Sequence, residues 1–118
     1  MSLEAKFHQA VEEWIEHCGN PAVQLSSSGE PVINCDPYRK IASMGYEALP
    51  LVRQVYDRDS SDNFALSIVQ GHGLLAVVNE IVGSDFSIPE EILGRISKMK
   101  DYTKGWLDDN MSRYAPTQ

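Results

Sequence analysis

The stretch that decides the fold reads FALSIVQGHGLLAVVNEIV and runs from Phe64 to Val82. Before the tripeptide Gly71-His72-Gly73, its apolar residues recur at intervals of three and four, the period of an amphipathic helix. From Leu74 onward they cover nearly the whole surface, which predicts the most buried element of the fold. Two glycines in such a stretch are typical of a kink or a corner between two helices. Ser61 or Asp62 is predicted to cap the first of them.

Upstream of this stretch, an amphipathic helix is predicted from Leu3 to Cys18 and ends at Gly19-Asn20-Pro21. Glu12, Glu13 and Glu16 lie on its polar side. Its apolar stripe consists of Phe7, Ala10, Val11, Trp14, Ile15 and Cys18. Residues 22–34 then predict either a short β-hairpin or an ordered loop, because Val23 and Leu25 alternate before a turn rich in serine and glycine.

Three further helices are predicted in the rest of the chain. Asp36-Pro37 starts a short helix, with the Asp36 carboxylate as its cap, and Gly45 ends it. The next helix has Pro50 in its first turn and an apolar stripe of Ala48, Leu49, Val52, Val55 and Tyr56. A capping-box pattern, Ser87-Ile88-Pro89-Glu90, starts the last helix, which runs to about Asn110. One face of that helix carries Ile92, Ile96, Met99, Thr103 and Trp106 or Leu107.

These patterns predict a single all-α domain of about five helices arranged as antiparallel hairpins. Residues 1–35 form the N-terminal helix with the hairpin or loop, residues 36–110 form the main helical part, and residues 111–118 form a flexible tail. A chain of 118 residues is typical of one domain. Because 42% of the residues are hydrophobic and 23% are charged, the disordered and fibrous classes are excluded.

The net charge of the chain indicates which partners it suits. Ten basic residues against seventeen acidic ones give a net charge of −7, which argues against binding DNA or RNA. The densest basic group, formed by Arg95, Lys98, Lys100 and Lys104, is interrupted on its helix and is predicted to be a solvated face. An acidic protein suits a basic protein partner, because complementary charge speeds encounter.

The two cysteines, Cys18 and Cys35, allow at most one disulfide, and the first residues carry no apolar export signal. We therefore expect a reduced, cytoplasmic protein. No transmembrane helix is expected, because the apolar run from Gly73 to Val82 is interrupted by Asn79 and Glu80 and is shorter than the ~20 residues that a membrane span needs.

Residues 38–52, YRKIASMGYEALPLV, resemble the corner of short helix, glycine and A-L-P-x-L found in HEAT-like helical hairpins. Residues 76–83, followed by IPEEILG at 88–94 and by Trp106-Leu107, are similar to the continuation seen in small, mostly uncharacterised prokaryotic HEAT-like (armadillo-type) proteins. The resemblance covers Asp36 to about Asn110. It implies a right-handed helical stack whose larger relatives commonly act as protein-binding scaffolds, and it carries over no catalytic residue.

Two segments carry candidate chemistry. Gly71-His72-Gly73 combines glycines that let a ligand approach the backbone with a histidine that titrates near neutral pH, but two glycines in an apolar helical stretch more often mark a kink or a helix corner with His72 in solvent. The nucleotide-binding patterns G-x-G-x-x-G and G-x-x-x-x-G-K-[ST] are absent from the sequence. Residues 57–62 begin like a calcium loop, but Asp62 stands where glycine is needed and Ile68 where a bidentate glutamate belongs. A polar turn is the stronger interpretation.

Ligand-type residues elsewhere form no pattern of a known kind of site. Zinc sites usually show closely paired ligands, and no such pair occurs among His8, His17, Cys18 and Cys35. A cysteine and histidine brought together by folding stay open as a nucleophilic pair. Glu12, Glu13 and Glu16 are interpreted as a charged helix face rather than as paired catalytic carboxylates. Trp14 and Trp106 are interpreted as core anchors, and Gly105 beside Trp106 predicts a close backbone contact.

The sequence therefore assigns no catalytic, cofactor-binding or metal-binding residue. The leading hypothesis is a non-catalytic protein-interaction module in the cytoplasm. One form of it is an acidic partner, of the immunity or antitoxin kind, that neutralises a basic protein. An alternative is a small enzyme or ligand-binding domain in which His72 lies at the wall of a pocket. Another is a homodimer in which residues 23–33 pair as strand edges.

Overall fold

The computed structural model describes residues 2–24 and 30–114, and within those ranges every regular element is helical. The all-α prediction is confirmed. The α-helices are α1 (Leu3–Cys18), α2 (Pro21–Gln24), α3 (Glu30–Ile33), α4 (Asp36–Ala42), α5 (Leu49–Tyr56), α6 (Phe64–Ile68), α7 (Leu74–Val82) and α8 (Ile96–Asn110). Short 3-10 turns lie at Gly45–Ala48, Gly83–Asp85, Glu90–Ile92 and Met111–Arg113. The HEAT-like pairing of these helices stays a prediction.

Helix α1 forms one side of the core and packs against α4 and α6. Its first turn is capped by Ser2, whose Oγ accepts a hydrogen bond from the Ala5 amide at 3.1 Å. The predicted stripe is buried, and Phe7, Trp14 and Cys18 have no exposed surface. Burial of this face explains why α1 is stable, because helices of this length owe most of their stability to packing.

The predicted β-hairpin at residues 22–34 is not confirmed. Its described parts lie in the single helical turns α2 and α3, and residues 25–29 lie outside the described residues. Asn20 starts α2, because its Oδ1 accepts from the Ala22 amide at 2.9 Å. Pro21 and Pro31 lie in the first turns, where a missing N–H is harmless, whereas it would leave a gap in a strand ladder. The strand edges that a homodimer through residues 23–33 would need are not present in residues 23–24 and 30–33.

Helices α4 and α5 follow their predicted limits closely. Gly45 ends the α4 region with a φ of 75°, a left-handed conformation that favours glycine. The predicted cap at Asp36 is wrong, because Cys35 is the N-cap residue and the Asp36 carboxylate pairs with Arg39 at 2.9 Å. Pro50 lies in the first turn of α5, and the predicted stripe of α5 is buried.

Of the two structures predicted for Gly71-His72-Gly73, a kink or a corner between two helices, the corner is wrong. Residues 69–73 form a π-helical turn, so α6, this π turn and α7 make one continuous helix. The glycines serve packing instead. A Cβ atom at Gly71 would lie 2.7 Å from Ile96 Cγ2, and one at Gly73 would collide with the Trp14 ring. The cap is Asn63 rather than Ser61 or Asp62, because Asn63 Oδ1 accepts from the Leu66 amide at 3.0 Å.

The continuous helix also corrects the length argument against a membrane span. Within the described residues, Phe64–Asp85 forms one helix of 22 residues that is long and apolar enough to cross a membrane. Asn79 and Glu80, which were expected to interrupt the apolar run, lie within this helix and do not shorten it. In its most apolar window, of mean hydropathy 1.4, 56% is buried inside the protein. Such burial is what a core helix shows.

The last helix begins later than the capping box predicts. Residues 86–89 are not helical, a 3-10 turn occupies Glu90–Ile92, and Gly94 adopts a φ of 85° before α8 begins at Ile96. Of the predicted face, Met99, Thr103 and Leu107 are buried, whereas Ile92 is half-buried and Ile96 is 43% exposed; α8 ends at Asn110 as predicted. Of the predicted tail, Met111–Arg113 form a 3-10 turn, and residues 115–118 lie outside the described residues. The radius of gyration is 13.5 Å, as expected of a compact chain of this length.

A buried hydroxyl between α5 and α8 provides a test of this packing. The Tyr56 side chain is buried, and its hydroxyl completes no hydrogen bond within the described residues. Thr103 lies near it but donates its own hydroxyl to the Met99 carbonyl at 2.8 Å. Burial also raises the pKa of Tyr56, so the phenol stays neutral.

We expect Tyr56→Phe to raise the free energy of unfolding by about 1 kcal/mol, because it removes an unpaired buried polar group. Tyr38→Phe is the matched control, since the Tyr38 hydroxyl donates to the Ala76 carbonyl at 3.3 Å. The control should lose about 1 kcal/mol in the same urea titrations. A loss in Tyr56→Phe equal to that in Tyr38→Phe would show that the Tyr56 hydroxyl is bonded.

Candidate functional site

The outer side of α8 carries a concave surface of aromatic and acidic residues. Met99, Thr103 and Leu107 bury the inner side, which packs against α5 and the π turn. Residues spaced at one-turn intervals on the other side line a cavity of about 310 Å³. Its lining residues are Asp101, Tyr102, Gly105, Trp106, Asp109 and Asn110. We call these six residues the α8 cavity.

A row of aromatic rings borders the α8 cavity. Phe86 lies buried at one end, with ring centroids 6.1 Å from Tyr102 and 5.2 Å from Trp106. Tyr114 stacks on Trp106 at 6.1 Å, and Tyr46 lies 5.1 Å from Tyr114. Tyr46 is 50% exposed, so the row leads from the core to solvent. Partly exposed aromatic rings of this kind are common in protein interfaces.

Hydrogen bonds hold two members of this row, Phe86 and Tyr114. Asn79 Nδ2 donates to the Phe86 carbonyl at 3.1 Å, which holds the segment after α7. The Tyr114 hydroxyl donates to Asp85 Oδ2 at 2.6 Å, and this bond raises the pKa of the tyrosine. The Arg113 guanidinium lies 5.6 Å from the centroid of the Tyr114 ring. These contacts hold the backbone at Phe86 and the ring of Tyr114 in position.

The two carboxylates of the α8 cavity are exposed and take part in none of the ion pairs among the described residues. These are Asp101 and Asp109. Their neighbour Asp108 differs, because Arg53 binds it through Nε at 2.8 Å and lowers its pKa. Arg53 also pairs with Asp57 at 2.8 Å, so it links α5 to α8. Asp101 and Asp109 therefore form no ion pair within the described residues, although Lys98, Lys100 and Lys104 lie on the same helix.

The acidic face predicted on α1 is partly neutralised. Glu12 pairs with Arg58 at 3.0 Å, and Glu13 pairs with Lys40 at 3.3 Å. Glu16 is exposed and makes no ion pair with a described residue. These pairs come from distant parts of the chain, so the sequence pattern of α1 did not show them. They leave less negative charge on α1 for a partner than its sequence suggests.

A second cavity of about 420 Å³ lies between α1 and α4. Ala10 is buried beneath it, and the pair of Glu13 and Lys40 lies among its lining residues. The other lining residues are Leu3, Lys6, Gln9, Ser43 and Met44. Two of its three charged side chains are already paired, so this cavity presents weaker electrostatic recognition than the α8 cavity.

The three histidines lie apart from both cavities. His72 is half-buried in the π turn and lines neither the α8 cavity nor the cavity between α1 and α4. His17 donates from Nε2 to the Pro31 carbonyl at 2.7 Å, which ties α3 to α1. His8 is exposed and lies 3.7 Å from Glu4. The pocket with His72 at its wall, which the enzyme hypothesis predicts, is neither of these two cavities.

The cysteines are free and buried in the core. Burial, reinforced by the nearby Cys35, raises the pKa of Cys18 to about 12. Burial also raises the pKa of Cys35, whose Sγ donates to the Val32 carbonyl at 3.5 Å. Both groups are therefore thiols at neutral pH, whereas a nucleophile must be a thiolate.

The segment that resembled the start of a calcium loop is a hydrogen-bonded turn. Asp57 pairs with Arg53, and Asp59 Oδ1 accepts from the Ser61 amide at 2.9 Å, which lowers the pKa of Asp59. Within residues 2–24 and 30–114, no group of three or more His, Cys, Asp or Glu side chains could hold a metal ion.

The basic group on α8 is not wholly solvated, since Lys100 donates to Gln70 Oε1 at 3.1 Å.

The aromatic row and the α8 cavity are the features that the sequence did not predict as a site. Trp14 is a fully buried anchor as predicted, but Trp106 is only half-buried. The close contact predicted at Gly105 is wrong, because a Cβ atom there would meet nothing within 4 Å. A usable signal was the spacing of Asp101, Gly105 and Asp109, because these residues lie outside the buried stripe of α8.

No protein-family model, curated protein or solved structure matches this chain.

Proposed function

We propose that this domain is a non-catalytic protein-interaction module of the cytoplasm that binds a basic protein through the α8 cavity and the aromatic row. The observation that supports this most directly is that two exposed carboxylates, Asp101 and Asp109, line one cavity with Tyr102 and Trp106 and form no ion pair with any residue that the structure describes. Aromatic rings supply contact area at low entropic cost, and carboxylates supply charge complementarity.

The charge of the whole chain acts in the same direction. A net charge of −7 attracts a basic protein over a long range and repels nucleic acid. The resemblance to HEAT-like proteins supports a binding role, because their larger relatives commonly act as protein scaffolds. One form of the proposal is a neutralising partner of the immunity or antitoxin kind, which would cover the basic surface of its target. Such binding weakens as salt rises.

The test is capture from the native source lysate with the tagged domain at low salt, followed by elution at high salt and mass spectrometry. We expect one basic protein in stoichiometric amount. The double variant Asp101→Asn, Asp109→Asn should capture at most about a tenth of the amount that the unmodified domain captures, because two charged contacts are lost.

A control variant separates this surface from net charge alone. Glu16→Gln with Asp62→Asn removes the same charge from exposed residues on other elements. We expect this control to capture the partner as the unmodified domain does. Equal losses in both double variants would contradict binding through the α8 cavity, and recovery of the tagged domain alone would contradict the interaction module.

A further inference from the structure

Gly105 lies within the 15-residue helix α8, exposed and in a helical conformation that any residue adopts. After proline, glycine is the least favourable residue in a helix interior. At Gly73 the fold explains the glycine, because a Cβ atom would strike the buried Trp14 ring, whereas a Cβ atom at Gly71 would press on Ile96, which is 43% exposed. At Gly105 a Cβ atom would meet nothing within 4 Å, so packing within the domain does not require the glycine.

The missing side chain at Gly105 shapes the floor of the α8 cavity. Asp101 and Asp109 lie one helical turn before and after it, and Tyr102 and Trp106 lie beside it. A side chain at position 105 would project between these groups. The cavity volume of about 310 Å³ is at the low end of the range for small-molecule pockets. All six lining residues lie on one side of α8, so the cavity is open to solvent and suits one inserted side chain better than an enclosed cofactor.

We infer that the α8 cavity receives the guanidinium group of an arginine side chain from the basic partner, an inference that rests on the proposed function. A guanidinium is planar, stacks on aromatic faces and donates two parallel hydrogen bonds to a carboxylate. An ammonium group matches this surface less well, because it is a compact, strongly hydrated point charge.

The chain itself shows both of these contacts close to the cavity. Arg53 donates from Nε and Nη2 to the two carboxylate oxygens of Asp108, at 2.8 and 3.3 Å. Arg113 lies 5.6 Å from the centroid of the Tyr114 ring. Asp101 and Asp109 line the α8 cavity together with Tyr102 and Trp106, and neither carboxylate pairs with an arginine among the described residues. An incoming arginine would repeat contacts that this surface already makes.

The probe for this inference is acetyl-tetraarginine amide, titrated at low salt into the full chain and followed by the indole N–H signals in NMR spectra. Trp14 is fully buried and donates to the Val32 carbonyl at 2.7 Å, so its signal serves as an internal reference. We expect the Trp106 indole and the amides of Asp101 and Gly105 to shift. Acetyl-tetralysine amide should bind at least about fivefold more weakly than acetyl-tetraarginine amide.

The decisive variant is Gly105→Leu, which fills the floor of the cavity and improves helix propensity. We expect it to keep or raise the melting temperature and to weaken tetraarginine binding about tenfold or more. Unchanged tetraarginine binding by Gly105→Leu, or equal binding of the arginine and lysine peptides, would overturn the inference.

The two proposals fail in different ways. If lysate capture still depends on Asp101 and Asp109 but the Gly105→Leu variant binds tetraarginine as tightly as the unmodified chain, the arginine site is wrong and the proposed function stands. If capture does not depend on those carboxylates, the proposed function is wrong, and the arginine site, which rests on it, falls with it.

Discussion

Gly73→Ala should lower the free energy of unfolding by about 3 kcal/mol, although alanine favours helix over glycine by about 1 kcal/mol. The added Cβ would enter the space of the Trp14 indole ring. Trp14 has no room to retreat, because it has no exposed surface and its Nε1 donates to the Val32 carbonyl at 2.7 Å. Moving the ring would therefore break a buried hydrogen bond and disturb α3. Urea titrations monitored by circular dichroism measure the change.

Gly105→Ala is the matched control for this prediction. It makes the same substitution at another helical glycine, where the new Cβ meets nothing within 4 Å. It should raise the free energy of unfolding by about 0.5–1 kcal/mol. In a double-mutant cycle, Trp14→Phe should cost less in the Gly73→Ala background than alone, because the smaller ring leaves room for the methyl group. If the two alanine variants have similar stabilities, Gly73 is not a packing glycine.

This contact shows why the sequence predicted the core helix but not its shape. The apolar pattern of residues 64–82 depends on local spacing, and local spacing is visible in a sequence. The space beside Gly71 and Gly73 is set by Ile96 and Trp14, which belong to helices distant in the sequence. A corner and a close-packed π turn place glycine at the same positions, so the pattern did not separate them.

The predicted starts of α6 and α8 were wrong for a related reason. Ser61, Asp62 and Asn63 are all residue types that cap helices, and the hydrogen bond from the Leu66 amide selects Asn63. At α8, the serine and glutamate of the capping box are present, but helix α8 begins only after Gly94, which is in a left-handed conformation. Several local signals compete at such limits, and tertiary packing decides between them.

The candidate site was only partly visible in the sequence. Asp101, Gly105 and Asp109 share one face of a predicted helix, and their spacing could have been found. The aromatic row could not, because Phe86, Tyr114 and Tyr46 come from three separate segments. The ion pairs of α1 were not visible for the same reason, since Arg58 and Lys40 reach its glutamates from other elements. Sequence patterns report which residues share a helix face, and folding decides what meets that face.

Gln70→Leu should lower the free energy of unfolding by about 3 kcal/mol, because it removes three hydrogen bonds from a buried polar group. Gln70 is 1% exposed, and its Nε2 donates to the carbonyls of Val55 and Arg58 at 2.8 and 2.9 Å. Its Oε1 accepts from Lys100 Nζ at 3.1 Å. This single side chain therefore joins the π turn to the end of α5 and to α8.

Leucine has a similar size but cannot bond any of the three partners, so all three lose Gln70 together, and the Val55 carbonyl keeps its bond from the Arg58 amide at 3.1 Å. Gln24→Leu is the matched control, because the half-buried Gln24 makes one such bond, from Nε2 to the Cys18 carbonyl at 3.1 Å. The control should lose about 1 kcal/mol or less in the same urea titrations. Hydrogen exchange gives an independent measure: in Gln70→Leu, the amides of residues 55–58 should exchange faster than those of α1. Similar losses in the two variants, with unchanged exchange at residues 55–58, would show that Gln70 does not hold these three elements together.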